Sequence, residues 1–282
     1  MSTVLAPPRL SSQTGNERPA DRPRPKVRVA KKAAVMPFAR ALGLLGAFTA
    51  QDQWLGNGDL ASRTGLPAST VSRIAHSLVS LGYLHHQPRV RKFRLAASVL
   101  ALGFAAVADS DVQQVAKPHM QSFAREHQVD VCLCSRDRLD MVVLDTCRSS
   151  AGSTGINLRY GVRVRVAASP AGWALLASLP EHERYYLLEQ AERQQPPDWQ
   201  RQRRRSAEAI CQVRELGFCS SAALGDPMVS VVAAPLLVVA QGPLVLACLG
   251  SSTRISRARV ERELGPRLVA MTNIIHQQVL VQ

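Results

Sequence analysis

The chain has 282 residues, and its 35 lysines and arginines against 21 acidic residues give a formal net charge of +14. This length predicts two domains of ordinary size, and the positive charge favours a polyanionic partner such as nucleic acid. The longest apolar run, residues 229–240, is interrupted by Pro235 and is too short to cross a bilayer, so no membrane partner is expected.

Six cysteines are scattered through the chain without the paired spacing of a zinc site, and no apolar core follows the N-terminal charges as in an export signal. They are interpreted as reduced thiols of a cytoplasmic protein, and no metal or cofactor is expected. Cys132 and Cys134 are two residues apart in a strand-like run, so they point to one face. A metal or redox site and a pair of small buried side chains both remain open there.

Residues 1–34 form a basic segment in which eight lysines and arginines are interspersed with five prolines. Such a composition does not bury a core, and the segment is predicted to be a disordered tail. Either it adds salt-sensitive, non-specific affinity for DNA, or it is a solvated tail with no specific role.

Residues 60–84 have the pattern of the second half of a helix-turn-helix that continues into a wing. One helix is predicted to end at Gly65, where a glycine takes the left-handed backbone of a tight corner, and Pro67 is predicted to begin the next helix. The buried stripe of that helix is predicted at Val71, Ile74, Leu78 and Leu81. Its opposite face suits base edges in the major groove and carries Ser69, Thr70, Ser72, Arg73 and His76.

A basic hairpin follows this helix. Strands are predicted at residues 83–86 and 91–95, because Phe93 and Leu95 alternate with charged side chains, and residues 87–90 form the turn. The tip is predicted to lie along DNA phosphates through Arg89, Arg91 and Lys92. A supporting first helix is predicted from an apolar stripe at Phe38, Ala41, Leu42, Leu45 and Phe48. Residues 35–95 are therefore predicted to form a winged helix-turn-helix domain that binds double-stranded DNA.

The rest of the chain is predicted to form a helical linker and a second domain. The linker covers residues 96–116 and has a break at residues 109–111. The helix that follows this break is predicted to restart or kink at Pro118. An apolar helix face outside a core needs a partner, which predicts a homodimer or homotetramer. Residues 117–282 mix strand and helix patterns without regular alternation, which predicts an α+β domain around a mostly antiparallel sheet.

The chain resembles the IclR-type transcriptional regulators over about residues 36–280. The strongest likeness is the segment LASRTGLPASTVSRI at residues 60–74, followed by LGYL at 81–84 and FRL at 93–95. The C-terminal part matches in order and spacing, with KPH at 117–119, MVVLD at 141–145, RELGF at 214–218 and VAAP at 232–235.

The resemblance implies a winged helix-turn-helix, a helical linker and a C-terminal effector-binding domain of GAF-like fold. It also implies dimers or tetramers on palindromic operators, with DNA affinity controlled by a small metabolite such as an organic or aromatic acid. Carried onto this chain, Ser69, Thr70, Ser72 and Arg73 would read bases, and residues 89–92 would contact the DNA backbone. The same mapping implies an effector cavity lined by Cys132, Cys134, Gly161, Ser169, Cys219, Ser221, Asp226, Ser230, Cys248 and Ser251.

The chain departs from the family pattern at several positions. Residues 56–58 read Gly-Asn-Gly where the family has a serine or threonine cap, which predicts that the second helix starts late or frays. The wing tip lacks the usual glycine. In the effector-side loop Trp173 replaces a lysine, Ser169 a threonine and Ala167 a histidine. These changes leave open the alternative that the C-terminal domain only oligomerises and binds no effector.

A cysteine-dependent enzyme is the remote alternative. The sequence contains no Gly-x-Ser-x-Gly elbow, Walker loop, dinucleotide fingerprint or His-Glu-x-x-His motif, and no catalytic residue is predicted. A cysteine and a histidine that the fold brings together would be the remaining route to catalysis.

Overall fold

The computed structural model describes residues 32–49, 52–108, 111–149, 159–194, 197–223, 226–238 and 242–281. These residues form two compact units that divide after Ala96. Of the predicted tail, residues 1–31 lie outside the described ranges, while residues 32–34 already begin the first helix, since lysine and alanine favour helix. No helix within these ranges is both long and apolar enough to cross a membrane.

The N-terminal unit consists of three helices and a small antiparallel sheet. Its elements are α1 (Lys32–Leu45), β1 (Leu55–Gly56), α2 (Asn57–Thr64), α3 (Ala68–Ser80), β2 (Leu84–Gln87) and β3 (Lys92–Leu95). The strands pair in the order β1-β3-β2. Leu44, Leu60, Val71 and Phe93 join the three helices and the wing in one core. The predicted winged helix-turn-helix is confirmed, with the addition of the short strand β1.

Helix α2 starts at Asn57, directly after its N-cap Gly56, so the prediction of a late start is wrong. The backbone N–H of Gly56 donates to Oδ2 of Asp59 at 2.9 Å, which is one half of a capping box. At the other end Gly65 has φ 65°, the left-handed conformation that was predicted for the corner. Pro67 precedes α3 as its cap instead of being its first residue.

Two of the predicted buried stripes are partly wrong. In α1 the side chains of Phe38 and Leu42 are 74% and 68% exposed, and Leu44 is the buried residue, because the face of Leu44 packs against the other helices. In α3 Val71 and Leu78 are buried as predicted, together with Ala75. Leu81 is exposed, because α3 ends at Ser80 and the helical period no longer applies beyond that residue.

The C-terminal unit is built around one six-stranded antiparallel sheet. Its elements are α4 (Ala97–Ala108), α5 (Asp111–His127), β4 (Asp130–Asp137), β5 (Asp140–Cys147), β6 (Arg163–Arg165), a 3-10 turn (Val166–Ala168), α6 (Pro170–Ser178), α7 (Glu181–Arg193), α8 (Trp199–Leu216), β7 (Cys219–Ala223), β8 (Asp226–Leu236), β9 (Leu244–Ser251), α9 (Arg257–Arg259), a π turn (Val260–Leu264) and α10 (Gly265–Val281). The strand order is β6-β5-β4-β9-β8-β7. The predicted α+β fold with an antiparallel sheet is confirmed.

Each face of this sheet has its own apolar core. Leu133, Leu246 and Leu264 belong to the core under α5 and α10, while Trp173, Leu175 and other residues of α6 and α8 cover the opposite face. Helix α5 is continuous through Pro118 and carries Val112 and Ala116 into the first core, so the domain boundary predicted at residue 117 falls inside a packed helix. Residues 109–110 of the predicted linker break lie outside the described ranges.

One ion-pair network joins α5 to the segment before α10. Oε1 of Glu263 accepts hydrogen bonds from Nδ1 of His127 at 2.8 Å and from Nη2 of Arg259 at 3.2 Å. Oε2 accepts a third hydrogen bond, from Nε of Arg259 at 3.1 Å. The hydrogen bonds from Arg259, followed by that from His127, lower the pKa of the Glu263 carboxyl to about 2.

Glu263→Gln is expected to lower the free energy of unfolding by about 1 kcal/mol near neutral pH, a value typical of an exposed ion pair. Because the folded-state pKa lies below the ordinary value of 4.5, this contribution is complete above that pH and is lost as the pH falls toward 2. Urea unfolding across this window measures the difference. Glu261→Gln, which removes an exposed pair with Arg257, is the matched control and should change little. A Glu263→Gln effect that is independent of pH would contradict the assignment.

Candidate DNA-binding surface and effector cavity

The first turns of α3 present an exposed polar face. The helix starts after Pro67, whose carbonyl oxygen accepts the N–H of Thr70 at 2.9 Å. Ser69 and Arg73 are exposed, and Thr70 and Ser72 are half-buried at the edge of the same face. The guanidinium of Arg73 has no hydrogen-bond or ion-pair partner in the part of the chain that the structure describes. An unpaired guanidinium at this place is free to form the two parallel hydrogen bonds that guanine accepts.

His76 lies between α3 and the wing. Its Nδ1–H donates to the carbonyl oxygen of Ser72 at 2.8 Å, which holds the ring against its own helix. The ring centroid is 5.4 Å from that of His86 and 5.7 Å from that of Phe93, and His86 stacks on Phe93 at 4.7 Å. Among the predicted DNA-binding residues, His76 therefore also has a structural role, because its ring packs against the hairpin.

The tip of the wing keeps a tight turn without a glycine. The backbone N–H of Arg91 donates to the carbonyl oxygen of Pro88 at 3.3 Å, and Arg91 itself has φ 49°. This left-handed conformation is uncommon for a residue with a side chain. Arg89, Arg91 and Lys92 are exposed, and their charged groups have no partner among the described residues. The geometry thus presents three free cations at the hairpin tip.

Half of the predicted effector residues lie on the sheet face that α6 and α8 cover: Cys132, Cys134, Ser169, Cys219 and Ser221. The Sγ atoms of Cys132 and Cys134 are 3.7 Å apart. The thiol of Cys219 donates to the carbonyl oxygen of Pro170 at 3.5 Å. Ser169 caps α6, because its Oγ accepts the N–H of Gly172 at 3.2 Å. These five residues therefore share one side of the sheet, and Ser169 and Cys219 lie at the start of α6.

Cys248 and Ser230 lie on the opposite face of the sheet. Cys248 packs in the core under α5 and α10, opposite Val131 in the strand register. Ser230 directly follows Val229, which packs on the α6 face, so the alternation of the strand directs Ser230 to the other side. A cavity under α6 excludes both residues, because a step of one residue along a strand changes the face.

The remaining three predicted effector residues lie at the periphery of the sheet. Gly161 lies in an exposed turn before β6, whereas Ser221 is on β7 at the other edge, about 24 Å away across five strand spacings. Asp226 starts β8 and accepts the N–H of Met228 at 2.9 Å. Ser251 ends β9 and shares a 2.6 Å hydrogen bond with Thr253. The N–H of Gly161 donates to the carbonyl oxygen of Val143, the residue that pairs with Cys134, so Gly161 lies near the Cys134 end of this sheet face and far from Ser221.

Trp173 occupies the centre of the α6 face. Its side chain is buried, and its Nε1–H donates to the carbonyl oxygen of Ala167 at 2.8 Å. The guanidinium of Arg205 lies 5.3 Å from the indole ring and donates to Oγ of Ser221 at 2.5 Å. Sequence reasoning missed Arg205 as a site residue, although its spacing of four residues from buried Ala209 places it on the inward side of α8.

Three buried cysteines of this domain, Cys134, Cys219 and Cys248, keep their thiols protonated near neutral pH. The hydrogen bond with Cys132, together with burial, raises the pKa of the Cys134 thiol well above its ordinary value. Burial raises the pKa of Cys219 and of Cys248 to about 12. A thiol is a weak nucleophile and a weak metal ligand in this state. Among the described residues no group of three or more histidine, cysteine or acidic side chains is placed to hold a metal ion.

Both parts of the chain match known family profiles. The IclR helix-turn-helix domain matches residues 38–88, and the bacterial transcriptional regulator IclR C-terminal domain matches residues 104–275. The HTH-type transcriptional regulator TsaQ1/TsaQ2 of Comamonas testosteroni is 30% identical over 247 residues, which cover 87% of this chain and 88% of that protein.

Solved structures have a similar fold. The crystal structure of an IclR family transcriptional regulator from Brucella abortus has 35% identity and a TM-score of 0.77, over 87% of this chain and 93% of that one. An IclR homologue from Microbacterium hydrocarbonoxydans, solved in complex with 4-hydroxybenzoate, has 18% identity and a TM-score of 0.69 over 87% of this chain and all of that chain (100%). This second likeness is one of fold alone.

Proposed function

The chain belongs to the IclR family of bacterial transcriptional regulators, and from this premise we propose that it recognises a palindromic DNA operator in the cytoplasm. The observation that carries the proposal is the unpaired guanidinium of Arg73 on the exposed face of α3. Arginine paired with guanine is the commonest specific base contact, and short hydroxyl side chains flank this arginine. The three cations of the wing tip hold the adjacent phosphates.

The protein binds its operator as a homodimer or homotetramer. Large apolar side chains are exposed on α1, where Phe38 and Leu42 lie, and on α4, where Leu100 and Leu102 are 61% and 58% exposed. A second copy that covers them gives the two-fold symmetry that a palindrome requires. Sedimentation equilibrium is expected to give two or four times the chain mass of 30.7 kDa.

A small organic or aromatic acid modulates DNA affinity from the α6 face of the C-terminal domain. Support comes from Arg205, a half-buried cation beside the ring of Trp173 that could pair with a carboxylate. The homologue solved with 4-hydroxybenzoate has the same fold. The alternative is a C-terminal domain that only oligomerises and binds no effector. The buried indole of Trp173 supports this alternative, because it takes up space at the start of α6.

Thermal unfolding with 4-hydroxybenzoate and a panel of organic acids separates these two readings of the C-terminal domain. A ligand at 100 times its Kd adds about 2.7 kcal/mol to the stability of the state that binds it. Arg205→Gln is expected to abolish the stabilisation by an acid on the α6 face. Operator DNA must change the affinity for that acid by the same factor by which the acid changes affinity for the operator. No stabilisation by any acid would favour the oligomerising domain.

The function itself is tested by selection of genomic DNA fragments with the purified full-length protein at physiological salt. We expect a short palindrome to be enriched over bulk DNA by about three orders of magnitude or more. Repetition with the acid panel covers the case in which an effector is needed for binding. Enrichment of nothing beyond bulk DNA in any of these conditions would contradict the proposal.

Arg91→Gly is expected to weaken binding to operator and to random DNA by a similar factor. The guanidinium contacts phosphate, so its loss removes about one unit from the slope of log affinity against log salt for each copy bound to DNA, or about two units for a dimer. Glycine accepts the φ of 49° without strain, so the hairpin itself should remain intact or gain stability. Arg91→Lys keeps the charge and is the matched control, with a salt slope like that of the wild type. A selective loss on the operator would show that Arg91 reads bases.

A further inference from the structure

A groove of about 510 Å³ lies between α7 and α8, away from all the residues predicted to bind an effector. Its apolar part is formed by Leu188, Ala207 and Ile210, with aromatic rings from Tyr185 and Trp199. The lining residues of α7 are spaced by one helical turn, so they form one face of that helix. The groove is of the size that small-molecule sites have.

Arg184 on α7 is a buried charge without a close counter-ion. The residue is only 8% exposed, and its one ion pair within the described residues is a 3.9 Å contact with Glu181. Its other polar contact is a long hydrogen bond of 3.5 Å to the carbonyl oxygen of Leu179, and its guanidinium lies 5.8 Å from the ring of Tyr185. Burial of a guanidinium is costly unless an anion compensates for the lost hydration.

Trp199 at the start of α8 supplies a second, independent sign of a missing ligand. The residue is 9% exposed, and its indole N–H is buried without any hydrogen-bond acceptor among the described residues. Buried donors are nearly always paired in native proteins, so this N–H is an unmet hydrogen bond in a residue that lines the groove.

The charges around the groove favour an anion. Arg203 and Arg214 also line it, and neither has a partner in the described part of the chain. Two glutamates, Glu189 and Glu192, also line the groove. The carboxylate of Glu189 is paired with Arg193 at 2.6 Å. Glu192 is the one lining carboxylate without a partner among the described residues. Three arginines against these two acids leave a surplus of positive charge.

We propose that the α7–α8 groove binds a small organic anion, with its carboxylate on Arg184 and Arg214 and its apolar body on Leu188 and Ile210. This is a second ligand site of the C-terminal domain, separate from the α6 face, and it does not depend on DNA binding.

Benzoate is the probe for this site, and benzyl alcohol is its neutral control of equal size. In the full-length protein with labelled leucine methyl groups, the signals of Leu188 are assigned with the Leu188→Ile variant. Millimolar benzoate is expected to shift the Leu188 signals, and benzyl alcohol is expected to leave them unchanged. Arg184→Gln and the exposed Arg214→Gln should each weaken benzoate binding about tenfold or more, the loss of one charge-assisted hydrogen bond.

Arg205→Gln should leave benzoate binding in the groove unchanged, since Arg205 lies on the α6 face. Three results would each overturn the proposal: no shift of the Leu188 signals, a shift that benzyl alcohol reproduces, or equal binding by the Arg214→Gln variant, which replaces an exposed side chain and is expected to fold. Operator selection is measured separately, so failure of the groove and failure of the DNA-binding function are distinguishable.

Discussion

Gly172→Ala is expected to lower the free energy of unfolding of the C-terminal domain by at least about 3 kcal/mol. A Cβ atom on Gly172 would overlap the carbonyl oxygen, the Cα and the carbonyl carbon of Val166. These are backbone atoms of the 3-10 turn before α6, so no side-chain rotation relieves the overlap. Helix α6 is itself buried from Pro170 to Leu176 and cannot move away without opening the core.

Urea unfolding followed by circular dichroism measures this loss. Gly43→Ala in α1 is the matched control: a Cβ there meets no atom within 4 Å, so alanine should stabilise the helix by up to about 1 kcal/mol. Gly265→Ala is an intermediate case, because the three atoms nearest to its Cβ would belong to the ring of Phe218, and Phe218→Leu replaces that ring with a shorter side chain. An unchanged urea midpoint for Gly172→Ala would contradict the packing at α6.

The sequence predicted the helix-turn-helix well because its information is local. Gly65 and Gly217 both have positive φ at helix ends, where a glycine next to an apolar stripe indicates the end of a helix. The start of α2 was mispredicted from its missing serine or threonine, although Asp59 supplies the other half of the cap three residues later. The prediction that Phe38 is buried was wrong, because the apolar stripe of α1 does not by itself show which face of the helix packs against α3.

The sequence could not show which of the proposed effector residues share a face of the sheet, because that depends on strand register and strand order. Cys132 and Cys248 are both cysteines in apolar strands, and only the pairing of Cys132 with Ala247 shows that they face opposite sides of the sheet. Gly161 is separated from Ser221 by the whole width of the sheet, which no local pattern reveals. The α7–α8 groove likewise arises from tertiary placement, since Arg184 and Trp199 are ordinary helix residues in the sequence.

Arg73→Ala is expected to weaken operator binding by about 1–3 kcal/mol, or roughly fivefold to 150-fold, and to relax the base preference at one position of each half-site. The side chain is exposed on α3 and has no partner among the described residues, so its removal leaves no buried group unpaired within the protein. Competition binding with operator and random DNA at one salt concentration measures both effects. In contrast to Arg73, the guanidinium of Arg63 on α2 is paired with the carboxylate of Asp52 at 2.7 Å.

Arg73→Lys separates base reading from charge. Lysine keeps the positive charge but lacks the planar fork that pairs with guanine through two parallel hydrogen bonds. Affinity for random DNA and the salt slope should therefore stay close to those of the wild type, while the preference for the operator falls. Arg91→Gly should show the opposite pattern, with a lower salt slope and an unchanged preference. If Arg73→Lys lost affinity equally on operator and random DNA, Arg73 would be a phosphate contact, and the reading of bases would have to be assigned to the hydroxyl side chains of Ser69, Thr70 and Ser72.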